Sequence, residues 1–144
     1  MHQPFQNGSY ILLINLPEPH WIKVGRLGEI YFNAGWYAYI GSAMRGFGAR
    51  IPHHLRSDKK LHWHVDYLLQ AASIKKIILF NTETRIECLI ARDLMKRFDF
   101  IPGFGCGDCK CRSHLFYSDI ADSFQNDLVV GKVKKVESIN ETNG

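Results

Sequence analysis

The sequence predicts an α+β fold, a small antiparallel β-sheet core flanked by helices, and three observations carry that expectation. Tyr10 to Leu16 (YILLINL) is a near-continuous apolar run of strand length, the mark of a central strand. Short β-type runs separated by turn signals fill residues 21–40. After Gly41 the alternation stops, and segments with helical spacing and helix-start signals follow.

Taken in order, the first strand ends at the turn signal Pro17-Glu18-Pro19. Trp21 to Gly25, Glu29 to Phe32 and Trp36 to Ile40 are separated by Leu27-Gly28 and Asn33-Ala34-Gly35, which reads as an antiparallel meander. Met44 to Gly48 is a glycine-bearing loop. It leads to Ala49-Arg50-Ile51-Pro52, where proline fits the first turn of a helix, so Arg50 falls near a helix start. A second helix is expected from His62 to Ala72 (HWHVDYLLQAA), with Trp63, Tyr67 and Leu68 on one face. Ile74 to Phe80 (IKKIILF) reads as another strand. Thr84 and Glu87 form a T-x-x-E capping box at the head of a helix from Ile86 to Arg97, which Pro102-Gly103 closes. Residues 103–112 are loop, His114 to Tyr117 is a short strand, and the polar tail 131–144 is expected to fray.

With 144 residues, 46% of them hydrophobic, the chain fits one globular domain, residues 1–130, without repeat or linker. No apolar run approaches the roughly 20 residues that span a bilayer. Met1 to Asn7 lacks the charged-then-apolar order of a signal peptide, so a cytoplasmic protein with no membrane partner is expected. In a reducing compartment Cys88, Cys106, Cys109 and Cys111 point to metal binding or reactivity before disulfides. Cys106-x-x-Cys109-x-Cys111-x-x-His114 has enough ligands for zinc, although it lacks the separated second pair of a zinc ribbon, and Asp108 is a further candidate acid. The formal charge is +4. Basic residues gather at Arg45, Arg50, Arg56, Lys59 and Lys60, at Lys75 and Lys76, at Lys110 and Arg112, and at Lys132, Lys134 and Lys135. Brought to one face they would attract a phosphate backbone; apart, they are ordinary solvated surface.

Gly8-Ser9-Tyr10 on the first strand and Tyr39-Ile40-Gly41 on a later one, followed by Arg50 and then His54, resemble the two half-motifs of the GIY-YIG nuclease superfamily. More narrowly, Val24-Gly25-Arg26-Leu27-Gly28, Ala38-Tyr39-Ile40-Gly41-Ser42-Ala43, Leu61-His62-Trp63-His64-Val65-Asp66-Tyr67-Leu68-Leu69 and Cys109-Lys110-Cys111-Arg112-Ser113-His114 resemble one small subfamily, which in some archaea is attached to an endonuclease III-type repair glycosylase. The resemblance covers residues 8–117. It implies a GIY-YIG-type sheet core and a metal-dependent DNA endonuclease that hydrolyses phosphodiester bonds in DNA repair or processing. The implied partners are DNA and a DNA-repair enzyme, and the implied cofactor is one Mg²⁺ or Mn²⁺ ion.

Hydrolysis of a phosphodiester needs a positioned water, a base, a cation for the phosphoryl oxygens and help for the leaving oxygen. The resemblance places Tyr10 and Tyr39 near the attacking water, Arg50 beside the scissile phosphate, and His54 at the following His or Tyr position. An arginine near a helix N-terminus suits phosphate, because free amides and guanidinium point at the same anion. His62 and His64 face apart at i and i+2, so one is expected to point inward. His64 is taken as the catalytic candidate, while His62 can pair with Asp66. Gly41, Ser42, Arg45, Arg56, Lys59 and Lys60 are candidates for nucleic-acid binding, and Cys109, Cys111 and His114 for a secondary site.

The sequence departs from the superfamily pattern in three places. GSY replaces GIY, Arg50 follows Tyr39 by eleven residues, one more than is common, and Ala91 stands where the metal-binding glutamate is expected. Glu87 lies one turn earlier on the same helix face and is the candidate ligand, its other reading being the capping box. Two alternatives to the nuclease remain open: a non-catalytic nucleic-acid binding module on the same fold, and a small zinc-binding interaction domain.

Overall fold

The chain runs β1 (Gly8–Leu16), β2 (His20–Lys23), β3 (Glu29–Phe32), β4 (Gly35–Ala43), α1 (Phe47–Leu55), α2 (His64–Leu68), β5 (Ser73–Asn81), α3 (Glu87–Met95), β6 (Asp99–Phe100), β7 (Leu115–Ser118), β8 (Val129–Val130), β9 (Val133–Lys134) and β10 (Glu137–Asn140). This computed structural model describes residues 7–106, 109–120 and 124, with the strand residues 129–130, 133–134 and 137–140. Six strands form one sheet in the order β10-β5-β1-β4-β7-β6, and every neighbouring pair is antiparallel. The α+β expectation holds.

β1 is apolar at consecutive positions because both faces of the sheet are covered. Tyr10, Leu12, Ile14 and Leu16 join Phe47 and Ile51 of α1, Val65 and Leu68 of α2, and Phe104 in one core. Ile11 and Leu13 face the other way, against Ile86, Ile90, Ala91 and Leu94 around α3. With period 2 and burial on both sides, every position of the central strand but the half-buried Asn15 is closed to solvent.

Four local expectations are corrected. The runs at 21–40 are not a meander: among the described residues β2 pairs only with β3, in a separate two-stranded ribbon, while β4 crosses to pair with β1 over its full length. A long inward-facing apolar stretch in β4 is better buried beside β1 than at the edge of a hairpin. The second helix is only His64–Leu68, because its first turn is drawn tight by Asp66, whose carboxylate accepts the amides of His62 and Trp63 at 2.8 and 2.9 Å. α1 begins at Phe47, so Pro52 sits inside it, although Arg50 is still in the first turns. The Thr84 and Glu87 capping box is absent. Ile86 is the N-cap, without a side-chain cap; its amide donates to Ser9 Oγ at 3.3 Å, while Thr82 takes the carbonyl of Thr84. Ser9, the residue that makes the first motif GSY, thus holds the head of α3.

Part of the segment 131–144 is strand, with β10 adding to the sheet edge beside β5. Among the described residues no helix is long and apolar enough to cross a membrane.

Tyr10 and Gly41 are partners in the β1–β4 register. A Cβ on Gly41 would lie 2.4 Å from the Tyr10 hydroxyl oxygen. Gly41→Ala is therefore expected to cost about 1–3 kcal/mol by overpacking, read as a lower urea midpoint at unchanged slope. Unchanged stability would mean that the phenol is free to swing away.

Candidate active site

The site is a cleft of about 450 Å³ lined by Tyr39, Gly41 and Ser42 of β4, Arg50 of α1, His62 to His64, Arg85, Glu87 and Cys88 at the head of α3, and Gly105, Cys109 and His114 of the loop before β7. The YIG strand thus forms the floor, and the walls are contributed by segments far apart in sequence.

Arg50 is held in two ways. Its Nη1 donates to the Ser42 carbonyl at 2.7 Å, and its guanidinium lies 4.4 Å from the centre of the Trp63 ring. That fork is pre-oriented at the cleft, with donors to spare for an anion.

Behind Arg50 lies a buried polar chain. The Tyr10 hydroxyl is 2.7 Å from His54 Nε2, and His54 Nδ1 is 4.0 Å from Asp66 Oδ1. Neither Nδ1 nor Oδ1 has a hydrogen-bond partner among the described residues. With its proton on Nδ1, facing the carboxylate, His54 accepts the Tyr10 hydroxyl proton at Nε2. Burial holds His54 at about 3, so it is neutral and free to accept. Burial also pushes the Tyr10 phenol up, offset in part by Arg50 beside it. For Asp66, burial would raise the carboxyl, but the Trp63 and His62 amides, His53 and Lys59 outweigh it and hold it low.

The strand tyrosines differ in access. Tyr39 lines the cleft, whereas Tyr10 is fully buried and reaches it only across the bare Gly41. His64 lines the cleft with Nδ1 accepting the Gly105 amide at 2.8 Å, so the proton of the neutral ring sits on Nε2 as a donor. His62 lines the cleft too, contrary to the i and i+2 argument, because it precedes the helix and its ring rests edge-on against Trp63. Only its backbone amide, not its ring, meets Asp66.

Glu87 is the one carboxylate in the cleft lining among the described residues, with Oε1 3.7 Å from Arg85 and Oε2 3.6 Å from His114 Nδ1. Ala91 is buried against the sheet, where a glutamate would be carried into the apolar core. Of the cationic candidates, Lys59 is taken inward: its ammonium donates to the His54 carbonyl at 2.8 Å and lies 3.6 Å from Asp66. Arg45 and Lys60 are exposed, and exposed Arg56 lies 4.0 Å from Asp58. Asp108 lies outside the described residues.

Cys88, Cys109, Cys111 and His114 bring their ligand atoms within 4.8 Å of one another, a Cys₃His set compatible with zinc. Cys106, which opens the sequence cluster, is not in it and donates to the Phe104 carbonyl. Cys88, read in the sequence only as one of four thiols pointing to metal or reactivity, takes the place in the cluster that the spacing gave to Cys106. Asp66 and Trp63 were likewise read as helix residues, not as parts of a site.

Because His54 drops from 6.5 to about 3 on folding, the unfolded chain takes up that proton first as pH falls. Stability is therefore full above about pH 6.5 and declines toward pH 3, and the low Asp66 carboxyl adds to the loss at the acid end. His54→Gln should flatten the decline between pH 6.5 and 4 in urea unfolding; an unchanged slope would show that His54 does not set it.

No curated protein and no solved structure matches the chain. One family does: a domain of unknown function, DUF123, matches residues 9–136. That span runs from the GSY strand through the cleft and the Cys₃His cluster into the last strands, and the chain belongs to the DUF123 family.

Proposed function

We propose that the cleft hydrolyses phosphodiester bonds of DNA, making the protein a GIY-YIG-type, metal-dependent endonuclease of cytoplasmic DNA repair or processing. The observation that carries this reading is the Tyr10–His54 hydrogen bond, backed by Asp66, immediately beside a guanidinium fixed at an open cleft. A base that can pass its proton on and a cation for the developing phosphoryl charge are the two parts this hydrolysis needs from side chains.

In this reading Arg50 holds a non-bridging oxygen of the scissile phosphate. The attacking water gives its proton to the Tyr10 oxygen across Gly41 as the Tyr10 proton passes to His54 Nε2. Asp66 faces the imidazolium so formed. Such a relay suits a phenol that burial keeps protonated, since it never has to exist free as phenolate. His64 Nε2–H donates to a phosphate or leaving oxygen, and Tyr39 orients the water at the floor.

A Mg²⁺ or Mn²⁺ ion fits the site in one respect: Glu87 offers a carboxylate at the cleft wall, and such ions are commonly held by one or two carboxylates with substrate phosphates and water. When bound, the ion would neutralise phosphoryl charge. Exposed Arg45, Arg56 and Lys60, which flank α1 and its Arg50 in sequence, are the cations offered to the DNA backbone, and a repair enzyme is the partner that the family resemblance favours.

Three substitutions test the chemistry. Arg50→Ala is expected to lower turnover by about 10² to 10³ while leaving the fold intact. Tyr10→Phe should lose most activity, and Tyr39→Phe less. A folded Arg50→Ala or Tyr10→Phe protein that cleaves branched or nicked DNA at the parent rate would remove that residue from the reaction.

Glu87→Gln separates the metal reading from a purely structural one. The helix head does not use Glu87 as a cap, so stability should hold, while cleavage should vanish or require far more Mg²⁺, with DNA binding retained. Unaltered metal dependence would exclude Glu87 as ligand. DNA binding by the parent without cleavage under any divalent ion would favour the binding module instead.

A further inference from the structure

We propose that Cys88, Cys109, Cys111 and His114 bind one zinc ion in a closed, four-ligand site that fastens the loop between β6 and β7 to the head of α3 and so builds one wall of the cleft.

The donors come from two segments that no strand pairing joins. Cys88 stands in the first turn of α3, and the other three lie on the loop that returns to β7. In a tetrahedral site with Zn–S near 2.3 Å and Zn–N near 2.0–2.1 Å, the sulfur–nitrogen edges are roughly 3.6 Å and the sulfur–sulfur edges roughly 3.8 Å. Cys109 Sγ and Cys88 Sγ lie 3.5 and 4.0 Å from His114 Nε2. Two edges are thus close to their bound lengths, and since no two ligand atoms are more than 4.8 Å apart, the remaining edges close with shifts of about one ångström or less.

A second observation points the same way. A metal-bound histidine normally gives its other ring N–H to a carboxylate or carbonyl. His114 directs Nε2 at the sulfurs and Nδ1 at Glu87 Oε2, 3.6 Å away, although the ring is 2% exposed. Glu87 is turned in its place by Arg85. Three thiolates and one imidazole make a soft donor set that selects zinc over the hard ions proposed for the cleft, so this is a second, distinct metal position. With four protein ligands no coordination position is open, and the ion is structural. Binding displaces the three thiol protons.

Among the described residues the loop makes no hydrogen bond to the backbone of α3. It turns back at Gly105, whose φ of 75° is left-handed and where a Cβ would come within 3.1 Å of His114 and 3.2 Å of Tyr39. Its other holds include Phe104 in the core, the Gly105 amide on His64 Nδ1, the Ile40 amide on the His114 carbonyl, and the backbone bonds Gly103 N–H to Arg112 O and His114 N–H to Phe104 O, none of which reaches α3. Zinc would tie it to the other wall, and through His114 would set the direction of Glu87.

The test is metal content of the full chain, independent of cleavage. Purified protein dialysed against metal-free buffer should retain one zinc per chain, and cobalt exchange should give the thiolate charge-transfer and intense ligand-field bands of a tetrahedral site. With zinc bound, a thiol reagent should find one reactive cysteine, Cys106, and all four after chelation. Cys88→Ser and Cys109→Ser should lose the metal, while Cys106→Ser and Glu87→Gln keep it. Loss of zinc in Cys106→Ser equal to that in Cys88→Ser, or retention in Cys88→Ser, overturns the ligand set. If Cys88→Ser does not fold, the parent decides: no zinc uptake, no cobalt–thiolate band, or four thiols reactive with zinc present sinks the proposal. A zinc-loaded chain that never cleaves DNA would sink only the nuclease reading.

Discussion

Tyr10 and Gly41 face each other across β1 and β4, and the phenol of one fills the space that a side chain on the other would take. From that contact the rest of the site follows. The hydroxyl is carried under the cleft floor to His54, His54 is backed by Asp66, and Asp66 in turn ties down the start of α2 and with it Trp63, on which Arg50 lies. A larger residue at 41 would break the chain at its first link while leaving the sheet hydrogen bonds in place.

The buried charges show why this chain is tolerated in a core. Asp66 is wholly buried, and a lone carboxylate there would be strongly disfavoured. Two amides, His53 and the inward ammonium of Lys59 stabilise it. Lys59 is thus a structural counter-ion in a segment whose Arg45, Arg56 and Lys60 face solvent. Removing it would leave Asp66 with His53, 3.4 Å away, as its nearest cationisable neighbour, and would take away one of the charges that keep His54 neutral and able to accept from Tyr10.

Much of the sheet was legible in the sequence, since YILLINL and IKKIILF are long enough and apolar enough to admit little else. Their pairing was not, because the runs at 29–32 and 36–40 are separated by a turn signal that fits a hairpin equally well, and only burial of β4 on both sides decides for β1. Arg50, Tyr39 and His64 could be placed at a common site through motif order. Cys88 could not, because a ligand set assembled across a helix and a loop leaves no fixed spacing to read. The Thr84 and Glu87 pattern misled for a related reason: a four-residue signature describes what a helix end could use, whereas the Ser9 hydroxyl from another strand arrived there first.

The order of strands in the sheet also governs when the cleft comes into being as the chain folds. β1 lies inside the sheet, its two partners close at widening separations, from Leu16 with Gly35 to Gly8 with Asn81, and β7 is linked to it only through β4. Contacts this distant in sequence slow folding, because loop entropy is lost before they form. The floor of the cleft can form early, but the wall that carries Gly105, Cys109 and His114 arrives with β7, so a nascent or partly unfolded chain has the strand tyrosines without an enclosed place for a phosphate.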